Sequence, residues 1–205
     1  LVGDPGSGKT SALRRMLKLL SGASGDVSRI KDKNSWTSTI TNRTVLVLDD
    51  ITEKHLWMSE YLNTLATGQS IEARVYYTTN DPESYRPRCF GAMTTIQSPF
   101  TESTTADRMI LLRMTRLGSR IPEHLLNTHV LERRDRLWGD LLPRLNKDIQ
   151  LLQGEDSPIA FRMADWASLA GKLLREQTTG GEVFQNIVEG LKGEQMRQVI
   201  QDSTI

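Results

Sequence analysis

The run Gly3-Asp4-Pro5-Gly6-Ser7-Gly8-Lys9-Thr10 constrains this chain more than any other feature. It fits the phosphate-binding pattern G-x-x-x-x-G-K-[ST] at every fixed position. Gly3, Gly6 and Gly8 let the backbone bend where side chains would clash, so successive N–H groups can converge on one cavity. A helix that follows such a loop adds the positive end of its dipole. In that setting Lys9 reaches the β- and γ-phosphates of a nucleotide, and the Thr10 hydroxyl ligates Mg2+. The candidate cofactor-binding segment is therefore Gly3, Asp4, Pro5, Gly6, Ser7, Gly8, Lys9, Thr10 and Ser11. The alternative is a chance glycine turn before a helix. The flanks argue against it. Leu1-Val2 read as the end of a strand, and Ser11 to Leu20 reads as a helix with Leu13, Met16, Leu17 and Leu20 at helical spacing. A strand before such a loop needs about five residues, so the chain is expected to be a segment of a longer protein.

A second signal lies downstream. Thr44 to Leu48 is a continuous apolar and β-branched run that ends in Asp49-Asp50. A strand buried on both faces, with acids at its C-terminal end, has this composition. In enzymes with a phosphate loop, an acid at the end of a neighbouring strand holds Mg2+. Asp49 is the candidate for that role, and Asp50 is placed to orient and polarise the attacking water. A pair of solvated turn aspartates is the bland reading.

Elsewhere the pattern alternates between strands and helices, then turns helical. Val27 to Ile30 reads as a short strand, and Leu56 to Ala66 as a helix stopped by Gly68. Ala73 to Thr79, Gly91 to Ile96 and Met109 to Met114 read as strands, with Asn80 to Ser84 as a turn. From about Ser119 the pattern is helical. Leu137, Leu141, Leu142, Leu145, Ile149 and Leu152 form one stripe. Trp166, Leu169, Ala170, Leu173 and Leu174 form a second. Phe184, Ile187, Val188 and Leu191 form a third, and Met196, Val199 and Ile200 hint at a fourth. Ser157-Pro158 read as a helix start. An α/β core, residues 1–118, followed by a helical region, residues 119–205, is the expected organisation.

Composition excludes some classes. At 205 residues the chain can bury a core, and 38% hydrophobic with 25% charged residues is ordinary for a globular protein. No apolar run approaches the roughly 20 residues that span a bilayer, so no membrane partner is expected. The single cysteine, Cys89, cannot form an internal disulfide, and with the nucleotide motif this points to a reducing, cytoplasmic setting. His55, His124 and His129 lie far from a second thiol, so no zinc site is expected. Net charge is +1, yet Arg108 to Lys147 holds nine Lys/Arg against four Asp/Glu. Such a stretch either faces phosphates or forms a solvated helix face.

The segments GDPGSGKT, LVLDD and the helical tail together resemble AAA+ ATPases. Within these, Leu65 to Gln69, Ala73 to Tyr77, Phe90 to Thr95 and Ala106 to Ile110 look like superfamily 3 and poxvirus-type primase-helicases of viruses, phages and mobile elements. The resemblance covers residues 1–118 well and the tail loosely. It implies a P-loop NTPase core with a parallel sheet and a helical lid. It also implies ATP as substrate, Mg2+ as cofactor and a homo-oligomeric ring (a hexamer). The ring would move on single-stranded or forked DNA as the helicase module of a replication protein. A β-hairpin lining the pore, a polar sensor residue and a trans-acting arginine belong to the same picture. Arg108 is the candidate for that arginine, against a salt bridge with Asp107. Arg162 is a candidate lid sensor, against an exposed helix arginine.

For the sensor, Asn80 competes with Thr95 or Gln97. Thr95 or Gln97 is preferred, because the small apolar residues Phe90 to Met93 suit a strand between the loop strand and the metal strand better than two tyrosines do. The sequence also departs from the family. Asp50 stands where most AAA+ proteins have Glu. The hairpin tip, Asn80-Asp81-Pro82-Glu83, is acidic rather than basic or aromatic. Arg74, Arg86 and Arg88 with Tyr76, Tyr77 and Tyr85 remain candidates for contact with single-stranded nucleic acid, against ordinary cross-strand packing. Two other functions stay open: an ATP-dependent switch without motor activity, kept by Asp50, and a P-loop small-molecule kinase, disfavoured by the paired acids.

Overall fold

The computed structural model describes residues 1–30, 32–52, 56–74, 82–116, 118–153, 160–175 and 180–200. In chain order its elements are α1 (Lys9–Ser21), α2 (Lys33–Asn42), β1 (Val45–Leu48), α3 (Leu56–Thr67), β2 (Ile71–Arg74), β3 (Pro82–Tyr85), β4 (Phe90–Met93), α4 (Ser103–Ala106), α5 (Glu123–Glu132), α6 (Arg134–Leu151), α7 (Ala164–Arg175) and α8 (Gly180–Ile200). Two compact units share them: Leu1–Phe100 with Leu112–Leu131, and Thr101–Leu111 with Glu132–Ile205. Gly118, where the composition changes, lies inside the first unit.

In the first unit, β1 is the apolar run that precedes the two aspartates. Leu46, Val47 and Leu48 are buried. It pairs in parallel with β4, Val45 opposite Phe90 and Leu48 opposite Met93. Isolated parallel bridges continue the order on both sides. Ser28 bridges Leu48 on the β1 side; Val2 bridges Thr95 beyond β4, and Arg113 bridges Val2 beyond that. Of the strands expected at Val27 to Ile30 and Met109 to Met114, only these single bridges at Ser28 and Arg113 are present.

Helix α1 covers this sheet. Leu13 and Leu17 are buried against Val47, with Leu1, Val27, Val45 and Ala92 packed around them. Met16 and Leu20 belong to the expected stripe but stand 37% and 38% exposed, so the buried face of α1 is narrower than its apolar face. Helix α3 approaches β4 where a side chain would intrude: a Cβ on Gly91 would lie 3.1 Å from the Leu65 Cδ2 methyl.

Helix α2 was not anticipated, and β3 departs from the expected turn. Helix α2, KNSWTSTITN, is rich in Ser and Thr, which favour caps and turns over helix interiors. Its start is fixed by Asp32, whose carboxylate accepts from Ser35 N at 2.9 Å and from Ser35 Oγ at 2.7 Å. Its inner face is Trp36 and Ile40, four apart and both 1% exposed. Trp36 meets Trp57 and Tyr61 of α3 edge-on at 5.9 and 6.2 Å, and those two rings lie 5.9 Å apart. The second element is β3, antiparallel to β2 with Ile71 opposite Tyr85 and Arg74 opposite Pro82. Pro82, Glu83 and Ser84 are therefore strand, not turn. Proline is tolerated here because it opens the strand. His55, the stretch that carries Tyr76, Tyr77, Asn80 and Asp81, and the helix start at Ser157-Pro158 lie outside the described residues.

The second unit is helical. Phe161, Ala167, Phe184, Val188 and Leu191 form its core, with Ile110, Met163, Trp166, Ala170 and Leu174 against them. The third and fourth expected stripes belong to one helix, α8. Its buried face continues through Gln195 and Gln198, not Met196, which is 66% exposed. Gln195 Nε2 donates to Met109 O at 2.8 Å and to Asp107 O at 3.3 Å, so its burial is compensated by carbonyls that end α4. The stripe on α6 is half exposed, Leu137 to Leu152, and Pro143 sits inside that helix.

The three-ring cluster joins α2 to α3. Trp36→Ala is expected to lower unfolding stability by about 3–5 kcal/mol in a denaturant titration, as for other buried aromatics. A change below about 1 kcal/mol would show that the cluster does not hold these helices together.

Candidate functional site

The parallel order brings the ends of these segments to one edge. Val2 pairs on one side with the segment around Arg113: its N–H donates to Leu112 O at 2.9 Å, and its carbonyl accepts from Met114 N at 2.8 Å. Thr95 N donates to Leu1 O at 3.0 Å, and Gly3 N to Thr95 O at 3.3 Å. The loop Gly3 to Gly8 therefore leaves the sheet at the same end as Asp49 and Thr94.

The loop conformation needs its glycines. Gly3, Gly6 and Gly8 have φ of 153°, 82° and 82°. Gly8 is the left-handed residue that opens α1, with no side chain capping the helix and no acid in its first turn. At Gly3 a Cβ would run into the carbonyl of Met114, and at Gly6 into the guanidinium of Arg120. Lys9 folds back across the loop. Its Nζ donates to Gly3 O at 2.6 Å, Asp4 O at 3.1 Å and Ser7 Oγ at 3.4 Å. Asp4 O also accepts from Ser7 N at 3.2 Å, and Ser7 is fully buried. Pro5 is exposed at the turn. A lysine held this way spans the loop as a brace.

Thr10 and Asp49 meet. Thr10 Oγ1 donates to Asp49 Oδ1 at 2.6 Å, across 39 residues of chain. A hydroxyl and a carboxylate oxygen converging on one point form a hard, all-oxygen donor pair, the chemistry that Mg2+ prefers. The two oxygens together could hold a divalent cation.

Thr94 is the residue that sequence reasoning missed. It is 1% exposed. Its hydroxyl donates to the same Asp49 Oδ1 at 2.8 Å and accepts from Asp50 N at 2.9 Å. Thr95, the sensor candidate, faces the other way. Its Oγ1 lies 2.7 Å from Ile51 O and 2.5 Å from Gln97 O, so its one proton serves backbone carbonyls. Gln97 enters this arrangement through its carbonyl. The signal that separates the two threonines is strand alternation, which needs the register of β4 to be known.

Asp50 has φ 56°, the one left-handed non-glycine among the described residues. Such backbone is costly and clusters at functional sites. Its carboxylate is about half exposed and lies 4.0 Å from Arg29 Nη2.

Ser11 contributes differently from expectation. Its hydroxyl donates to Glu123 Oε2 at 2.5 Å and accepts from Arg15 Nη1 at 2.6 Å, so its side chain ties α1 to α5. Arg14 joins the same tie, 3.3 Å from Glu123 and 2.7 Å from Asp26. Partial burial works to raise the Glu123 carboxyl, but the Ser11 hydroxyl and the Arg14 guanidinium together hold it below the usual glutamate value. The Arg14 hydrogen bond likewise lowers Asp26.

Arg108 and Arg162 belong to the second unit. Arg108, just after α4, donates from Nη1 to Thr104 O of that helix at 2.5 Å, and Arg162 is exposed just ahead of α7. No helix among the described residues is long and apolar enough to cross a membrane.

Thr94→Val removes both hydroxyl bonds while keeping the branched shape. It is expected to lower stability by about 1–3 kcal/mol, because one partner is a charged carboxylate. Equal midpoints for the two proteins in urea would show that this junction contributes nothing.

The family model described as actinomycete integrative conjugative element replication protein matches residues 1–185. No curated protein matches the chain.

Proposed function

We propose that this chain, which belongs to the actinomycete integrative conjugative element replication protein family, is the ATP-hydrolysing module of a mobile-element replication protein. The observation that carries the proposal is the 2.6 Å contact between Thr10 of the phosphate-loop motif and Asp49 at the end of β1. Two motifs distant in sequence, each expected at a nucleotide site, share one point in space. The parallel order Ser28, β1, β4, Val2, Arg113 supports a P-loop NTPase core of the AAA+ and superfamily 3 type. There the loop strand has the sensor strand on one side and a further strand on the other.

In this reading the loop amides and the α1 N-terminus hold the triphosphate of ATP, and Lys9 supports its terminal phosphates. Thr10 and Asp49 hold Mg2+, which neutralises charge on the phosphate oxygens when bound. Asp50 orients the attacking water and accepts a proton from it, so that the γ-phosphoryl group passes to water and ADP leaves. Thr94 fixes the Asp49 carboxylate and the backbone of Asp50. The functional form is a homo-oligomeric ring in which Arg108 serves a neighbour's nucleotide, and hydrolysis drives movement on single-stranded or forked DNA. The family's role in replication supports DNA as the partner.

Asp50 favours a second reading. Its side chain is one methylene shorter than Glu and half exposed. An ATP-dependent switch that turns over slowly fits that arrangement.

Phosphate release measured with and without single-stranded DNA tests the proposal. DNA-stimulated release is the expected result; binding with basal turnover that DNA does not change favours the switch. Lys9→Ala is expected to abolish ATP binding. Asp50→Asn is expected to keep binding while hydrolysis falls by about 10²-fold or more. Wild-type turnover in Asp50→Asn would remove Asp50 from the mechanism.

A further inference from the structure

Arg120 occupies an unusual place. It lies in the segment between the chain that bridges Val2 and the start of α5. Its guanidinium rests against Gly6, the central glycine of the phosphate loop. A Cβ built on Gly6 would collide with Nη2 and would stand 3.1 Å from Cζ and 3.7 Å from Nε. The guanidinium thus occupies the space that a side chain at position 6 would take, and a Cβ there would displace it.

The segment is held there. Pro122 stiffens it, and the Pro122 carbonyl accepts from Leu125 N and Leu126 N at 3.1 and 3.3 Å as α5 begins. Glu123 fastens it to α1 through Ser11 and Arg14. Pro122 and Glu123 stand within three residues of Arg120, and Ser11 and Arg14, the partners of Glu123, lie on α1, the helix that the phosphate loop opens.

Among the described residues no carboxylate pairs with Arg120 and no carbonyl accepts from it. Three other arginines of the same unit are engaged: Arg14 with Asp26 and Glu123, Arg15 with Ser11, Arg29 with Asp50. Arg120 is exposed, so its charge is open to a ligand. It adds a second cation to a loop that carries Lys9, one acid, Asp4, and an uncapped helix start with no acid in its first turn. Clustered positive charge of this kind is favourable only toward an anion.

We infer that Arg120 is a phosphate-contacting residue supplied by the same chain. Its guanidinium fork binds oxygens of the polyphosphate tail of a nucleoside triphosphate seated in the Gly3–Thr10 loop. This rests on the nucleotide reading above and adds a binding residue that lies outside the motif. A planar fork can grip two phosphate oxygens at once, whereas an ammonium acts as a point charge. Lysine is therefore a poor replacement.

Calorimetric titration of the full chain with Mg-ATP, and separately with inorganic tripolyphosphate, tests the inference. Wild type, Arg120→Ala, Arg120→Gln, Arg120→Lys and Lys9→Ala are compared, with melting curves recorded without ligand. Arg120 is exposed, so unchanged melting is expected for its three variants. Arg120→Ala and Arg120→Gln are expected to weaken both ligands by about tenfold or more, as loss of a charged hydrogen bond does. Arg120→Lys is expected to recover only part of that loss. If wild type binds Mg-ATP and both neutral variants bind it equally well, Arg120 does not touch the phosphates and the inference fails while the nucleotide reading stands. If wild type binds neither ligand, the nucleotide reading itself fails and the inference with it.

Discussion

One carboxylate oxygen joins three parts of the first unit. Asp49 Oδ1 accepts from Thr10 at the start of α1 and from Thr94 at the end of β4, while Asp49 itself ends β1. Bonds to an ionised acceptor are shorter and stronger than neutral ones, and both of these fall between 2.6 and 2.8 Å. The junction fixes where the loop stands relative to the sheet. It also explains how Asp50 keeps a left-handed backbone: its N–H is held by the same Thr94 hydroxyl. Without the junction, the brace of Lys9 across the loop would organise a turn with no acid to face.

The features readable in the sequence were those whose physics is local. The loop announced itself because three glycines, a lysine and a threonine at fixed spacing have few other uses. Strand β1 was legible because a short apolar run ending in acids has no polar face to offer solvent. Helix α2 was not, since Ser and Thr obscure helical periodicity; only the Asp32 cap and the Trp36–Ile40 spacing signalled it. The two threonines that end β4 illustrate a second limit. Alternation says that Thr94 and Thr95 face opposite sides, but only the pairing of Leu48 with Met93 says which side meets Asp49. In the tail, a search for apolar stripes passed over Gln195 and Gln198, because a buried glutamine is recognisable only once its carbonyl partners are in place. The role of Ser11 in tying α1 to α5 depended equally on a distant residue, Glu123.

Arg120 extends the site beyond its motif by the same logic. A glycine in a phosphate loop is ordinarily understood through its own backbone. Here Gly6 also makes room for a neighbour that sequence spacing could not have placed beside it. The tie from Glu123 to Ser11 and Arg14 gives that neighbour a fixed base, so helix α5 and the loop act as one assembly around α1. In the first unit this gathers the glycine-rich loop, Asp49 and Arg120 around α1, while α8 of the second unit fastens the segment that bears Arg108 through Gln195.

The most direct measurement is a crystal structure of the chain with Mg2+ and a non-hydrolysable ATP analogue. The account predicts the triphosphate inside the loop from Gly3 to Thr10, with the metal between the Thr10 hydroxyl and the Asp49 carboxylate in place of their mutual hydrogen bond. An analogue bound elsewhere with that hydrogen bond intact, or no bound analogue at saturating concentration, would contradict it.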